Sequence, residues 1–240
     1  MPRRRPQLRR GRKGVREIPV PRRKAKAPVA RSLGEQAYAD LEELIITLQL
    51  APGAVVTEAA LSKQLAIGRT PIREALQRLA REGLVNIMPR RGIVVSEINV
   101  TRQLRLLEVR RALETLVART AARRATEAER SRLAELAAIF EQCAKTRDDV
   151  TFMRADREFN SLASAACHNE FALGAMGLIH SLSRRFYFTH HKQVGDTALT
   201  ARMHAEMARA IASGNEEKAA KATEKLLDVI EKFTRDTTHV

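Results

Sequence analysis

The chain has 240 residues, enough for two ordinary domains, and carries 43 Lys and Arg against 28 Asp and Glu, a formal net charge of +15. The excess is local: residues 1–31 hold 13 of the basic side chains and a single acid, Glu17, and the rest of the chain is nearly balanced at +3. The sequence lacks an apolar run of eighteen residues, a signal-peptide pattern and metal-type cysteine spacing, which argues against membrane spans, export and zinc fingers.

Residues 1–31 also hold five of the eight prolines and show no helical or strand periodicity, so they read as a disordered basic tail. Two roles stand open for it. One is an electrostatic arm that raises non-specific DNA affinity, and the other is a solvated extension without a specific partner.

From 32 to 98 the pattern is three helices and a hairpin. The first helix runs from Leu33 to about Leu50, apolar at Leu41, Leu44, Ile45 and Leu48, and stopped by Pro52-Gly53. Thr57 caps a second helix carrying Leu61 and Leu65. A tight turn through Ile67-Gly68 leads to a third, with Thr70 as N-cap, Pro71 at the first helical position and Gly83 as the stop. Ile72, Ala75, Leu76, Leu79 and Ala80 form one buried stripe, which leaves Arg73, Gln77 and Arg81 on an exposed flank with Arg69 just ahead. Arginines and an amide on a compact helix suit phosphates and base edges in a DNA major groove. Val85, Ile87 and Ile93-Val94-Val95 bracket Pro89-Arg90-Arg91-Gly92, a two-stranded wing with two cations at its tip. Together these elements predict a winged helix-turn-helix.

Residues 99–240 contain no proline, four glycines and helical periodicity throughout. Helices are expected near 101–124, 126–146, 149–167, 170–190, 197–213 and 216–236, the second opened by the capping box Thr126-Glu-Ala-Glu129. The fold class is therefore mainly α, a winged helix-turn-helix followed by an all-α antiparallel bundle able to enclose a cavity or pair with a copy of itself. Cys143 and Cys167 read as buried thiols of a reducing cytosol.

The span Tyr38–Val95 resembles the N-terminal domain of GntR-type bacterial regulators. The likeness is carried by Leu50-Ala-Pro-Gly53, Glu58, Leu61, Leu65, Arg69-Thr-Pro-Ile-Arg-Glu-Ala-Leu76, Leu79, Glu82-Gly-Leu-Val85, Pro89 and Gly92. The remainder is similar to the all-helical FCD effector domain of the FadR branch, through Leu107-Glu-Val-Arg110, Leu113-Glu114, Asp156, Phe159, Asn169, His204, Ala210-Ile211 and Gly214. Six expected helices rather than seven resemble the vanillate-regulator subgroup. The resemblance implies a cytoplasmic, nucleoid-associated bacterial homodimer. It would bind a short inverted repeat in double-stranded DNA, repress nearby genes and release DNA on binding a small metabolite.

By the same resemblance, Arg69 and Arg73 match operator-contacting arginines, and Arg91 and Gly92 match the wing tip; Thr70 and Gln77 join the expected DNA-binding set from their own place on the third helix. Gly68 replaces the usual serine, and Ala59 stands where some members place another base-contacting arginine. Many FCD domains hold a divalent metal such as Zn, Ni or Mn on one aspartate and three histidines. Asp156 and His204 match that set, whereas Asn160 and Leu226 stand at the other two positions. Asp156, Asn160 and His204 are therefore either a depleted metal site or a hydrogen-bonded polar cluster lining an effector pocket. Arg110 matches a pocket arginine suited to an organic acid, with an i,i+4 ion pair to Glu114 as its alternative role. An enzyme would need a nucleophile elbow, a phosphate loop or a His-Glu-x-x-His motif, all missing from the sequence. A non-specific DNA-coating protein would leave the helical domain unexplained.

Overall fold

A computed structural model describes residues 32–89 and 92–237. The basic tail and the wing-tip residues Arg90 and Arg91 lie outside the described residues, so the expectations placed on them do not bear on the geometry below.

The N-terminal module comprises α1 (Leu33–Ile46), β1 (Val55–Val56), α2 (Glu58–Leu65), α3 (Arg69–Arg81), β2 (Val85–Met88) and β3 (Gly92–Val95). Ser32 opens α1 with a capping box closed by Glu35. The helix stops at Ile46, four residues short of the expected Leu50. The Thr47 hydroxyl donates to the Glu43 carbonyl at 2.7 Å, Leu48 takes a left-handed φ of 60°, and the Leu50 N–H turns back to Leu44 O at 2.9 Å. Apolar periodicity cannot register a hydroxyl that takes over a helix's last carbonyl. Thr57 caps α2 as expected, accepting from Ala60 N–H.

The start of α3 differs from expectation. Gly68, not Thr70, is the N-cap and makes no side-chain cap bond; Thr70 and Pro71 are the second and third helical residues. The shift is tolerated because the first internal bond is Ile72 N–H to Gly68 O, so the N–H that Pro71 lacks has no helical partner to lose. Gly83 follows α3 at φ 74°, with Leu84 N–H reaching back to Leu79 O at 2.9 Å, a left-handed stop that favours glycine. The hairpin is one strand richer than the sequence suggested. β1 pairs antiparallel with β3 (Val55 opposite Val94), giving the order β1-β3-β2. Two residues are too few to show strand alternation. Leu41, Ile45, Leu61, Ile72, Leu76, Leu79 and Leu84 make a dry core, each buried side chain worth about 1.5–3 kcal/mol in transfer terms.

The C-terminal module is six helices: α4 (Val100–Arg124), α5 (Glu127–Thr146), α6 (Asp149–Ala166), α7 (Glu170–Val194), α8 (Thr197–Ala212) and α9 (Glu216–Asp236). Asn99, Thr126, Asp148, Asn169, Asp196 and Asn215 cap them in turn, which explains why their boundaries were legible. Phe140 sits at the centre against Phe152 and Phe159, and the buried alanines Ala201, Ala205 and Ala208 let α8 lie close on α5. Cys143 and Cys167 are free and buried. Helix α7 makes most of the contacts with the N-terminal module, and Arg157 of α6 adds an ion pair to Glu42 of α1. Leu182 packs on the winged-helix core, the Ser181 hydroxyl donates to Glu42 of α1, and Arg185 donates to Ser96 O at 2.7 Å.

Candidate DNA interface and effector pocket

A helix that read DNA would have to be held rigidly, and α3 is held through its far end. The Tyr38 hydroxyl of α1 donates to Glu82 at 2.8 Å, Arg78 donates to the same carboxylate at 3.0 Å, and the Arg78 guanidinium stacks 3.6 Å from the Tyr38 ring centroid. Burial raises the Glu82 carboxyl pKa, and the Tyr38 and Arg78 hydrogen bonds only partly offset that. The near end of α3 faces out, with Arg69, Thr70, Arg73 and Gln77 all exposed.

Arg73 is not free. Its Nε and Nη2 donate to the two oxygens of Glu58, at the start of α2, at 2.9 and 2.8 Å. The Arg73 hydrogen bond in turn lowers the Glu58 pKa. An exposed pair contributes little stability, so its effect is to aim the guanidinium. A guanine edge would compete with Glu58 for the same planar fork. Beside this helix, Gly92 begins β3 at φ 92°, and an added Cβ there would lie 3.0 Å from the Val56 carbonyl oxygen. Glycine is thus required where the wing turns back. Val55, Ile87 and Met88 expose apolar surface on the wing.

In the helical module, Arg110 from α4, Asp156 and Asn160 from α6 and His204 from α8 line one cavity, joined by Arg184 of α7. Its volume is about 30 Å3, room for about one water molecule. Asp156 is the hub. Its Oδ1 accepts from Asn160 Nδ2 at 3.0 Å and faces His204 Nε2 at 3.1 Å, and its Oδ2 faces Arg184 Nε at 3.2 Å. Burial alone would push the Asp156 carboxyl up. The His204 hydrogen bond and the nearby His204, Arg184 and Arg110 charges outweigh it and hold the pKa at about 2. Arg110 makes the ion pair that was its alternative role, donating to Glu114 at 2.9 and 3.0 Å and to Ser183 at 2.7 Å, while still lining the cavity.

Comparison with known proteins decides the family. Residues 33–95 match the family model for bacterial regulatory proteins of the gntR family, and residues 105–229, just over half the chain, match that of the FCD domain. The chain belongs to the GntR family. Within it the chain is similar to the HTH-type transcriptional repressor RspR of Escherichia coli K12, 35% identical over 97 residues, which are 40% of this chain and 42% of that protein. It is 26% identical to the Nta operon transcriptional regulator of Aminobacter aminovorans over 74% of this chain and 82% of the relative. The alignment spans only about two fifths of the length of RspR. Among solved structures, E. coli McbR/YncC superposes with a TM-score of 0.74 at 18% identity, over 87% of this chain and all of that one. A putative GntR regulator from Rhodococcus sp. RHA1 gives 0.64 at 22% identity, over 85% and 97%. Both share the fold of this GntR protein, a winged helix plus a helical domain.

Some FCD domains bind metal, and the residues here do not fit one. Asp156 and His204 are the donors in place. Asn160 turns its amide N–H toward Asp156, and Leu226 is core at 1% exposure. Arg184 brings a fixed positive charge onto the carboxylate a metal would need. Among the described residues, none of the groupings of three or more His, Cys, Asp and Glu could hold a metal ion. The sequence reasoning missed Arg184, His180 and Ser183 in the pocket and gave Glu58 no role. The one available signal was Arg184-Arg185, two cations in a largely apolar helix.

Proposed function

We propose that this GntR-family chain is a sequence-specific DNA-binding transcriptional regulator. It works as a repressor released from a short inverted-repeat operator by a small organic acid, and it acts in the cytoplasm, where bacterial DNA lies. The observation that carries the reading is the face of α3: Arg69, Thr70, Arg73 and Gln77 stand exposed on a helix anchored from behind by Tyr38, with a glycine-hinged wing alongside. Arg69 and Arg73 would grip phosphate or guanine, Gln77 adenine and Thr70 the backbone, while Gly92 lets the wing and Arg91 reach the neighbouring groove. The relatives' names, a repressor and an operon regulator, support the same direction.

A homodimer is supported by the outer face of α7, where Phe171, Leu173 and Leu178 are exposed and an added Cβ at Gly174 or Gly177 would meet nothing. Arg110, Asp156, Asn160 and His204 are proposed as the effector-sensing cluster: all four line one buried cavity, and Arg184, which faces Asp156, also lines the larger cavity beside it. With two protein donors and a guanidinium beside them, a divalent ion would bind there weakly at most. The test is selection of bound duplexes from a random library. A regulator enriches a palindromic site, and Arg73→Ala loses that site; a DNA-coating protein enriches nothing.

A further inference from the structure

The polar cavity just described is too small for an organic acid, but a larger one adjoins it. Between α1 and the outer faces of α6 and α7 lies a cavity of about 320 Å3, within the usual range for small-molecule sites. Met153 and Arg184 line both cavities and form the wall between them. The walls of the larger one combine apolar surface with four cations, Arg154, Arg157, Arg184 and Lys192, against three carboxylates, Glu42, Glu43 and Asp149.

Arg184 is the group that points to a missing partner. Its side chain is 12% exposed, and its Nε, although 3.2 Å from Asp156, makes no hydrogen bond. Its Nη1 lies 3.6 Å from Glu42, beyond hydrogen-bond range. A largely buried guanidinium with no well-formed fork is costly, and a carboxylate or sulfonate would complete it. Arg157, which also faces the cavity, is 3.1 Å from the other Glu42 oxygen. Glu42 of α1 is itself buried, so these two arginines tie the DNA-binding module to the helical one.

We infer that the cavity between α1 and the α6–α7 face binds an organic anion with an apolar body, whose acid group takes Arg184 and Arg157 away from Glu42. The apolar body covers Ile46, Val150 and Phe188. Glu42 is left buried with Ser181 as its remaining partner, an arrangement that favours movement of α1 away from α7. Occupancy therefore couples to the placement of the DNA-binding module. This release step rests on the regulator reading; the binding step does not.

The probe is 8-anilinonaphthalene-1-sulfonate, titrated by fluorescence into the full chain, beside its uncharged analogue N-phenyl-1-naphthylamine. A saturable site, one per chain, is expected for the sulfonate. Val150→Trp, an exposed position on the first turn of α6, should weaken it at least tenfold by filling the cavity, and Arg157→Gln severalfold. Val109→Trp, an exposed position on α4, should leave it unchanged. Equal binding by Val150→Trp and the parent, or equal affinity for the uncharged analogue, overturns the site. Saturating sulfonate should also weaken binding to the selected duplex at least fivefold, and unchanged DNA affinity with the site filled overturns the coupling. If no duplex is selected at all, the regulator reading fails, and the fluorescence result still decides the site.

Discussion

Replacing Arg110 tests whether the buried charges of the helical module hold it together, beside the sensing role proposed for them. The Arg110 and Glu114 side chains are 6% and 4% exposed, joined by two hydrogen bonds, with Ser183 taking a third Arg110 N–H. Burial pushes the Glu114 carboxyl up, yet the Arg110 charge, with His180 beside it, brings it down from 4.5 to about 2. At about 1.4 kcal/mol for each pH unit, that favours the ionised, paired state by about 3 kcal/mol. Arg110→Met removes the cation and strands a buried carboxylate, for which a cost of about 3–5 kcal/mol is typical. We therefore expect about 3 kcal/mol of destabilisation at pH 7. Adding Glu114→Leu should recover most of it, because an apolar pair has no stranded charge. The assay is urea unfolding by far-ultraviolet circular dichroism, at one protein concentration so that self-association does not move the midpoint. A loss below about 1 kcal/mol for Arg110→Met, or no recovery in the double variant, would refute the reasoning.

Arg73→Ala should lower affinity for the selected duplex about 10- to 100-fold and leave random DNA nearly unchanged, measured by fluorescence anisotropy; equal losses on both would remove Arg73 from base reading. Glu58→Gln frees the same guanidinium and removes a negative charge beside DNA. Random-duplex affinity should rise severalfold and the ratio of selected to random binding should shrink, whereas an unchanged ratio would show that Glu58 does not aim Arg73. Asp156 and Glu114 are both held at about 2, so their stabilisation is complete above the ordinary carboxylate range near pH 4 and is lost as pH falls toward 2. Asp156→Asn should accordingly flatten the fall in melting temperature between pH 4 and pH 2.5, and an identical slope would contradict the assignment. Zinc, nickel or manganese at stoichiometric level should leave the melting temperature within about 1 °C, because tight binding to the native state would raise it.

The elements most legible in the sequence were those that announce themselves locally. Six helices of the C-terminal module were placed within a few residues because each opens on a Thr, Asp or Asn cap and carries a full apolar stripe. The α3 stripe was legible for the same reason, and its four buried members are Ile72, Ala75, Leu76 and Leu79. What was lost depends on partners distant in sequence. β1 exists only because β3 pairs with it, and the early end of α1 depends on one hydroxyl and a left-handed leucine. The pocket shows the same division. Asp156, Asn160 and His204 were brought together through family spacing, and the structure places them around one carboxylate. Arg184 and Glu42, 142 positions apart, could not be joined by any periodicity, and their contact links the two modules.

The central claim, that this GntR-family chain reads a DNA sequence, is tested most directly by anisotropy across a salt series. The comparison is between duplex from upstream of its own gene and a scrambled duplex of equal length. The account predicts saturable binding to the upstream duplex at least 100-fold tighter than to the scrambled one, with a gap that persists as salt rises. Equal binding to both, lost together with increasing salt, would contradict it and leave a DNA affinity made of charge alone.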